Sequence, residues 1–349
     1  MAEPPAAEIR DVARGALRLA LSDLCARVYP GYHIAHVRCL HGGVDAATHR
    51  VDLVASPIPP SAATAADAPP RRSLILRRYG SGTLSWNPCA PERLWHILTL
   101  LSDTRLGIAA PQPLLLDATR REGPAAEPAR PSLGAPTLLM SYIPGKSTLA
   151  PRDVRRFVHG LAGGLAKIHA VPGDYRGLSH LPSPADQLDR VLKAARECPE
   201  LRTVPQGTAI ARVLAATDGR RLVRRPVLLH GDYWAGNVLW DRGELCAVID
   251  WDQAERGEAG YDVSYCRVDL ALLFGADVAD EFLHAYEQAA GGAVRDLPTW
   301  DLLAASRALP TGRAWLPGYH GLGRTDLDER TTAGRLHAFL AAAIARAAA

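Results

Sequence analysis

Apolar residues follow two different spacings along this chain. In the first part, short runs alternate apolar and polar positions, which is typical of strands with one buried face. Beyond Gly145, apolar residues recur every three to four positions, which is typical of helices packed on a core. The pattern predicts strands at 36–40, 48–54, 73–78 and 136–143, a leading helix at 9–28, and later helices at 154–169, 184–197, 263–274, 278–290 and 336–348. We therefore expect an α+β protein.

One segment in the second part carries three oxygen-bearing side chains at informative offsets. A predicted strand ends just before the run HGD, in which Gly231 permits a sharp turn, and Asn237 follows Asp232 by five positions. Asn237 opens a predicted β-hairpin that ends at Asp250. Since an antiparallel hairpin returns the chain to its start, we expect the Asn237 amide oxygen and the Asp250 carboxylate to lie close together.

Asn237 and Asp250 together offer a hard, oxygen-only ligand set. Such a set suits Mg²⁺, which takes one or two protein oxygens and completes its shell with water and phosphate. In the protein-kinase catalytic loop, an Asp orients the attacking hydroxyl and accepts its proton, an Asn five residues later binds Mg²⁺, and an Asp on the next hairpin binds the same metal ions. Asp232, Asn237 and Asp250 match that order. Taken singly, each fits a turn, a strand cap or a solvated strand end, but the offsets together favour phosphoryl transfer.

The motif HGDYWAGNVLW, followed by VIDWD and GEAGYDVSY, resembles the core of the aminoglycoside phosphotransferase family, small-molecule kinases with a protein-kinase-like fold. The family writes this stretch as HGDxxPGNxL, IDW and GDPxxDLA. Ala235 replaces the usual proline, and Glu258-Ala259-Gly260 replaces the usual Gly-Asp-Pro. Neither departure removes a chemical group that the reaction needs. The resemblance implies a two-lobed fold with a small antiparallel-sheet N-lobe and a larger helical C-lobe. It also implies that Asp262 is a buried anchor for the catalytic-loop backbone.

The resemblance implies that the N-terminal part binds the nucleotide. Gly42 and Gly43 would fold over the phosphates and offer backbone N–H groups, although a plain hairpin turn also uses such a pair. Arg77, in the predicted strand SLILRR, would bind phosphate oxygens, as in family members that read VLR. Glu92 opens the run PERLWHILTLL and would pair with Arg77, or would simply complement the helix dipole.

The third nucleotide element is the apolar strand PTLLMSYIPG, which resembles the family's inter-lobe hinge. Matching residue by residue implies that the Ser141 carbonyl and the Ile143 N–H receive the adenine edge, with Met140 behind the ring. The order of these motifs divides the chain into an N-lobe, residues 1–143, and a C-lobe, residues 144–349. The following run GKST is not a Walker A loop, since Met140 stands where its first glycine is required.

Composition and charge limit the possible partners. The chain has 48% hydrophobic and 22% charged residues and a net charge of +3, which is ordinary for a globular protein and too weakly basic to indicate nucleic acid or a membrane surface. Its six cysteines have no metal-site spacing and predict buried free thiols in a reducing compartment. The absence of a long apolar run argues against a signal peptide or a bilayer span. We expect a cytoplasmic protein, and the sequence leaves its oligomeric state open.

The predicted reaction is transfer of the γ-phosphoryl group of ATP to a hydroxyl of a small molecule. Asp232 aligns the hydroxyl and takes its proton, while Asn237 and Asp250 hold Mg²⁺. Arg77 positions the phosphates, so that positioning and electrostatics supply most of the acceleration.

The identity of the acceptor is left open. Carboxylates outnumber basic residues between 252 and 296, which would favour an aminoglycoside if they line the cleft and would mean little if they are solvated surface. Five aromatic residues could form a floor for a sugar or an apolar ring, or belong to the core: Trp234, Tyr265, Trp300, Trp315 and Tyr319. Sugars, amino alcohols and homoserine are alternative acceptors. A catalytically silent nucleotide-binding module is the alternative to an enzyme.

Overall fold

The computed structural model describes residues 15–40, 46–56, 70–104, 106–118 and 133–348. The chain divides into two compact units. The first takes in Met1–Asp103 and Pro111–Ile143, and the second Thr104–Ala110 and Pro144–Ala349. Within the described ranges, no helix is both long and apolar enough to cross a bilayer.

The described part of the first unit contains a five-stranded antiparallel sheet in the order β1-β2-β3-β5-β4. Its strands are β1 (Tyr32–Leu40), β2 (Ala46–Ala55), β3 (Arg71–Tyr79), β4 (Pro113–Asp117) and β5 (Thr137–Ser141). Its helices are α1 (Gly15–Val28), α2 (Ser81–Trp86) and α3 (Ala90–Asp103). Alternate residues of β2 and β3, among them Val51, Leu53 and Leu74, form one hydrophobic core with Leu21 and Leu24 of α1.

The second unit is mostly helical. Its helices are α4 (Val154–His169), α5 (Pro184–Arg196), α6 (Gly207–Ala216), α7 (Gly219–Leu222), α8 (Gly260–Phe274), α9 (Ala276–Ala290), α10 (Leu297–Gly321) and α11 (Glu329–Ala348). Two antiparallel ribbons lie between α7 and α8: β6 (Val227–Leu229) with β9 (Glu255–Gly257), and β7 (Val238–Asp241) with β8 (Glu244–Val248). α8 is buried along most of its length and packs against α9, α10 and α11, so it forms the centre of this unit.

The helix α4 has the predicted bounds because local signals mark both ends. Asp153 accepts the Arg156 N–H at 2.9 Å as the N-cap, and Lys167 and His169 occupy the last turn, where cations complement the helix dipole. Elsewhere the predicted ends shift: α5 ends one residue earlier, and α8, α9 and α11 begin three, two and seven residues earlier than expected. The elements α2, α6, α7, α10, β4 and β9 were not predicted.

All six cysteines are free thiols, as predicted, but they are not all buried. Cys25 and Cys266 are buried, and Cys89 is exposed. Burial raises the pKa of Cys25 to about 12, so its thiol stays protonated and unreactive at neutral pH. The expectation of buried thiols is therefore wrong for Cys89.

Candidate active site

The segment after β6 turns sharply and presents Asp232. Gly231 has φ = +82°, and a Cβ there would lie 1.9 Å from the Gln253 carbonyl oxygen, so only glycine fits. The His230 ring accepts the Asp232 N–H at Nδ1 (3.3 Å) and donates from Nε2 to the Ile249 carbonyl (2.9 Å). This pair of bonds requires a neutral ring with its proton on Nε2. One glycine and one neutral histidine therefore fix the predicted turn.

The buried carboxylate of Asp262, on α8, anchors this turn. It accepts hydrogen bonds from the backbone N–H groups of His230 (2.7 Å) and Gly231 (3.0 Å). His169, at the end of α4, bonds the same carboxylate through Nε2 (3.2 Å) and the Tyr286 hydroxyl through Nδ1 (2.7 Å). Because buried N–H groups need an acceptor, the two hydrogen bonds to Asp262 hold the loop backbone in place. The prediction of a buried anchor is confirmed.

Asn237 contacts Asp232 directly. It ends a short 3-10 turn, Ala235–Asn237, and its side chain is nearly buried. Its amide nitrogen donates to the Asp232 backbone carbonyl and to Asp232 Oδ2, both at 2.9 Å. Since the nitrogen is engaged there, the amide oxygen is the atom of this side chain that can bind a cation.

The β-hairpin returns the chain to Asn237, as predicted. Arg242 and Gly243 have φ of 51° and 83°, as in the tight turns that join antiparallel strands. Beyond β8, the Ile249 N–H donates to the Asn237 carbonyl at 2.9 Å, so Asp250 directly follows a residue bonded to Asn237. Asp250 is half-buried with φ = 65° and ψ = 59°, a left-handed conformation that non-glycine residues keep mainly where surrounding structure imposes it.

The donor chemistry here fits magnesium. Asn237 and Asp250 offer hard oxygen atoms, and one or two protein oxygens are what Mg²⁺ takes when phosphates and water complete its shell. Over the ranges that the structure describes, no three His, Cys, Asp or Glu side chains are grouped so as to hold a metal ion. The protein would therefore supply two ligands to Mg²⁺, one from Asn237 and one from Asp250.

Aromatic side chains cluster near Asp232. Trp234 packs on Tyr319 of α10, with ring centroids 6.1 Å apart, and Tyr265 of α8 packs on Trp315 at 6.3 Å. Burial, together with the nearby Asp232 charge, raises the pKa of Tyr265 well above its usual value, so its hydroxyl stays protonated and can donate. We refer to the half-buried Trp234, Tyr265 and Trp315 as the aromatic group. Trp300 and Tyr319, in contrast, are core residues, since both are almost fully buried.

Asp269 is a residue of this region that the sequence pattern did not single out. It lies on α8, only 4% exposed, and Oδ1 accepts the Tyr319 hydroxyl at 2.7 Å. Burial raises the pKa of Asp269 to about 7, opposed by the Tyr319 hydroxyl and the Ala235 backbone amide and assisted by the charge of Asp232. Its offset of seven from Asp262 puts both carboxylates on one face of α8, a signal that could have been found.

Arg307 of α10 is a second residue that the sequence pattern did not indicate. Its guanidinium lies over the rings of Tyr265 (4.6 Å) and Tyr261 (5.4 Å). Although burial lowers the pKa of Arg307, the two phenols and the Asp232 charge raise it above its usual value. A permanent cation therefore lies among the aromatic residues near Asp232.

Many carboxylates after Asp250 have structural partners. They are Glu255 with Arg190 (2.8 Å), Asp280 with Arg267 (3.0 Å), Glu281 with Arg155 (3.1 Å), Glu287 with the Val294 N–H (2.9 Å), and Glu258 with the N–H groups of Arg224 and Arg225. Carboxylates used in this way orient helices and turns within the fold. The structure therefore favours structural roles for these residues over an acidic acceptor cleft.

The residues predicted to bind phosphates lie in the first unit. Arg77 is nearly buried near the end of β3, between β2 and β5. Glu92 is half-buried in the first turn of α3, and its pairing with Arg77 stays a prediction. Gly42 and Gly43 lie outside the described residues.

The residues predicted to bind adenine lie at the end of β5. Met140 is buried, and the Ser141 N–H donates to the Gln112 carbonyl at 2.9 Å while the Ser141 hydroxyl accepts the Gln112 N–H at 2.9 Å. Ile143 follows two residues later and is half-buried. Their roles toward a nucleotide stay predictions.

Comparison with solved structures gives the class of fold. A macrolide 2'-phosphotransferase type I matches over 95% of this chain and 97% of its own, with a TM-score of 0.57 and 20% identity. The GDP complex of wild-type aminoglycoside 2'-phosphotransferase-IIIa matches over 96% and 100%, with a TM-score of 0.56 and 16% identity. The fold is therefore that of the protein-kinase-like phosphotransferases, as predicted.

Sequence comparison gives the family. The profile of the phosphotransferase enzyme family, APH, matches residues 64–304, and the chain belongs to this family. The predicted resemblance is confirmed. Two curated relatives are mouse acyl-CoA dehydrogenase family member 10, 25% identical over 206 residues or 56% of this chain, and hygromycin-B 4-O-kinase of Escherichia coli, 32% identical over 82 residues or 24% of it. These matches span only 18% and 17% of the two relatives' own lengths.

Proposed function

We propose that this protein transfers the γ-phosphoryl group of ATP to a hydroxyl of a small molecule. The observation that carries the proposal is the contact of the Asn237 amide with Asp232, within a hairpin that brings the chain back to Asn237 just before Asp250. This is the arrangement that phosphoryl transfer needs, because a base and two metal-binding oxygens must meet at one place.

Each predicted residue has a role in this reaction. Asp232 aligns the acceptor hydroxyl and takes its proton as the O–P bond forms. Asn237 and Asp250 would hold Mg²⁺, which neutralises charge on the phosphates when it is bound. Arg77 positions the phosphates, and Glu92 orients Arg77.

The remaining nucleotide contacts rest on the resemblance to the family. Gly42 and Gly43 offer backbone N–H groups to the phosphates. The Ser141 carbonyl and the Ile143 N–H receive the adenine edge, and Met140 lies behind the ring. Nucleotide use is supported by the related aminoglycoside 2'-phosphotransferase-IIIa, whose structure holds GDP. ATP as the donor and the cytoplasm as the location are parts of this proposal.

The acceptor that fits best carries a ring and is not a compact polycation. The aromatic group offers flat faces for a sugar or an apolar ring, and Arg307 would repel a cluster of ammonium groups. Many of the carboxylates that could attract a polyamine are already paired within the fold. Ring-bearing antibiotics and sugars satisfy this description.

The test is ATP turnover against aminoglycosides, macrolides, sugars and amino alcohols, with nucleotide binding measured separately by calorimetry. We expect Mg²⁺-dependent turnover with at least one acceptor, reduced by about 10²-fold or more in Asp232→Asn. The variant should bind nucleotide nearly as tightly as the wild type.

Two outcomes contradict this proposal in different ways. Near-normal turnover in Asp232→Asn would show that Asp232 is not the base. Tight nucleotide binding without transfer to any acceptor would favour a catalytically silent nucleotide-binding module.

A further inference from the structure

A cavity lies within the helical unit, on the other side of the His169–Asp262 network from the loop that carries Asp232. It encloses about 750 Å³ between the C-terminal ends of α4 and α9, the segment before β6 and the start of α8. That volume is within the range of small-molecule sites, roughly 300–1,000 Å³. We refer to it as the α4–α9 cavity. The proposed phosphoryl transfer does not use it.

The charges around the α4–α9 cavity are mainly positive. Arg224, Arg225 and Arg295 line it, and Glu258 is the acidic residue of the lining. Asp296, just outside the lining, lies 4.0 Å from the Arg224 guanidinium and offsets its charge, so Arg225 and Arg295 supply the excess of positive charge. The Glu258 carboxylate is already engaged, since it accepts the backbone N–H groups of Arg224 and Arg225. Guanidinium groups bind carboxylate or phosphate oxygens in pairs, so this lining favours an anion.

The rest of the lining is small and apolar. Alanines and glycines of α4, α8 and the end of α9 leave the space open, and Trp300, although almost fully buried, borders it at one edge. Gly260 is required there, because a Cβ would lie 2.3 Å from Cδ1 of Trp300. The helix ends are capped locally, by the Ala170 N–H on the Ala166 carbonyl (3.0 Å) and the Gly292 N–H on the Glu287 carbonyl (3.1 Å). The other carbonyls of the two last turns keep a partial negative charge, which the guanidinium groups must outweigh to hold an anion.

The cavity wall is two hydrogen-bonding steps from the backbone that precedes the proposed base. His169 and Tyr286 both line the cavity and bond each other at 2.7 Å. His169 bonds Asp262, which holds the backbone of His230 and Gly231. A ligand that shifts Tyr286 or His169 would thus alter the support of the loop that ends at Asp232.

We propose that the α4–α9 cavity binds a small amphipathic acid and that its occupancy changes the rigidity of the catalytic loop. The acid group lies on Arg225 and Arg295, and the apolar body lies against the alanines of α4 and α9 that line the cavity. The ligand class follows from the lining alone, so this inference stands or falls separately from the proposed reaction.

Calorimetric titration of the full chain tests the binding with four probes. These are 1-naphthoate, 1-naphthyl phosphate, the neutral 1-naphthalenemethanol and inorganic phosphate. We expect saturable binding of at least one naphthyl acid. The neutral alcohol and inorganic phosphate should each bind at least about tenfold more weakly than that acid. Whichever of 1-naphthoate and 1-naphthyl phosphate binds more tightly shows whether the site prefers a carboxylate or a phosphate. Equal binding of the alcohol, or no saturable binding of either acid, would refute the proposal.

Three variants test whether the acid binds in the α4–α9 cavity. The double variant Arg225→Ala/Arg295→Ala removes the two cations, and Ala289→Phe fills the space without changing the charge. Each should weaken binding of the acid by about tenfold or more. Arg212→Ala/Arg330→Ala removes the same charge at exposed positions outside the cavity lining and should change affinity less than twofold. Unchanged affinity in the first two variants would overturn the assignment of the site.

Hydrogen exchange tests the coupling without any need for catalysis. Saturating the wild type with the acid that binds should change the hydrogen-exchange rates of the backbone amides at residues 230–237. Tyr286→Phe keeps the ring but removes the hydroxyl that holds His169, so it should bind the acid within about threefold and lose most of this effect. No change at residues 230–237 on saturation would refute the coupling.

Discussion

Asn237 donates its side-chain amide to both the backbone carbonyl and the carboxylate of Asp232, at 2.9 Å in each case. The proposed metal ligand therefore also orients the proposed base. A substitution at this position affects two functions, and the choice of replacement can separate them.

Asn237→Ala removes the donor and the oxygen ligand, whereas Asn237→Asp keeps an oxygen ligand but replaces the donor with a second carboxylate beside Asp232. We expect turnover to fall by about 10²-fold or more in both variants. The Mg²⁺ concentration for half-maximal turnover should rise more in Asn237→Ala than in Asn237→Asp. Equal Mg²⁺ dependence in the wild type and both variants would show that Asn237 does not bind the metal.

Asp262→Ala should destabilise the second unit. The substitution leaves the buried N–H groups of His230 and Gly231 without their acceptor, at a cost of about 2–5 kcal/mol in the free energy of unfolding. Urea unfolding measures this cost. Asp277→Ala, at an exposed position in the first turn of α9, is the control and should change stability by less than about 1 kcal/mol. Similar losses in the two variants would contradict the anchor role.

Two glycine-to-alanine substitutions should have opposite effects. At Gly231 the added Cβ meets the Gln253 carbonyl at 1.9 Å and the backbone is left-handed, so Gly231→Ala should destabilise the protein by more than about 2 kcal/mol. At Gly163, within α4, an added Cβ meets nothing within 4 Å, so Gly163→Ala should stabilise it by about 0.5–1 kcal/mol. Thermal unfolding of both variants checks the signs.

Asp269 should make stability depend on pH. Its pKa is about 7 in the folded protein and lower in the unfolded chain, so the folded state binds the proton more tightly. Its contribution to stability is full below about pH 4 and is lost as pH rises through about 7. Between these two pH values, the free energy of unfolding of the wild type should fall by about 2–4 kcal/mol more than that of Asp269→Asn. Urea unfolding of both proteins at pH 5 and pH 8 measures the difference, and parallel pH profiles would contradict this origin.

The catalytic loop and hairpin could be predicted because their determinants are local. Gly231 allows the turn, Arg242 and Gly243 form the hairpin turn, and the alternation of apolar residues sets the two strands. The bounds of α4 follow equally from a cap and from cations in its last turn. In each case the residues that predict the element lie within it, although contacts that hold the loop in place, such as Gly231 with Asp262, span 31 positions.

The features that were missed depend on contacts between distant parts of the chain. Tyr319 meets Asp269 across 50 positions, and Arg190 meets Glu255 across 65, so neither pair is visible in a local pattern. The helix α10 was missed because Pro310 and Pro317 interrupt its sequence, and prolines inside a helix normally end it. The strand β4 is five half-buried residues long, too short for alternation to distinguish it from a loop.

The helix α8 carries two carboxylates with different roles: Asp262 anchors the loop backbone, and Asp269 binds the Tyr319 hydroxyl. Asp262 and Asp269 are seven residues apart, about two turns and about 10 Å, and both face the loop that carries Asp232. Inserting one residue between them would rotate one carboxylate by about 100° away from its partners. Lineages that alter acceptor range are therefore expected to vary α10 and its connections while keeping the length of α8 constant.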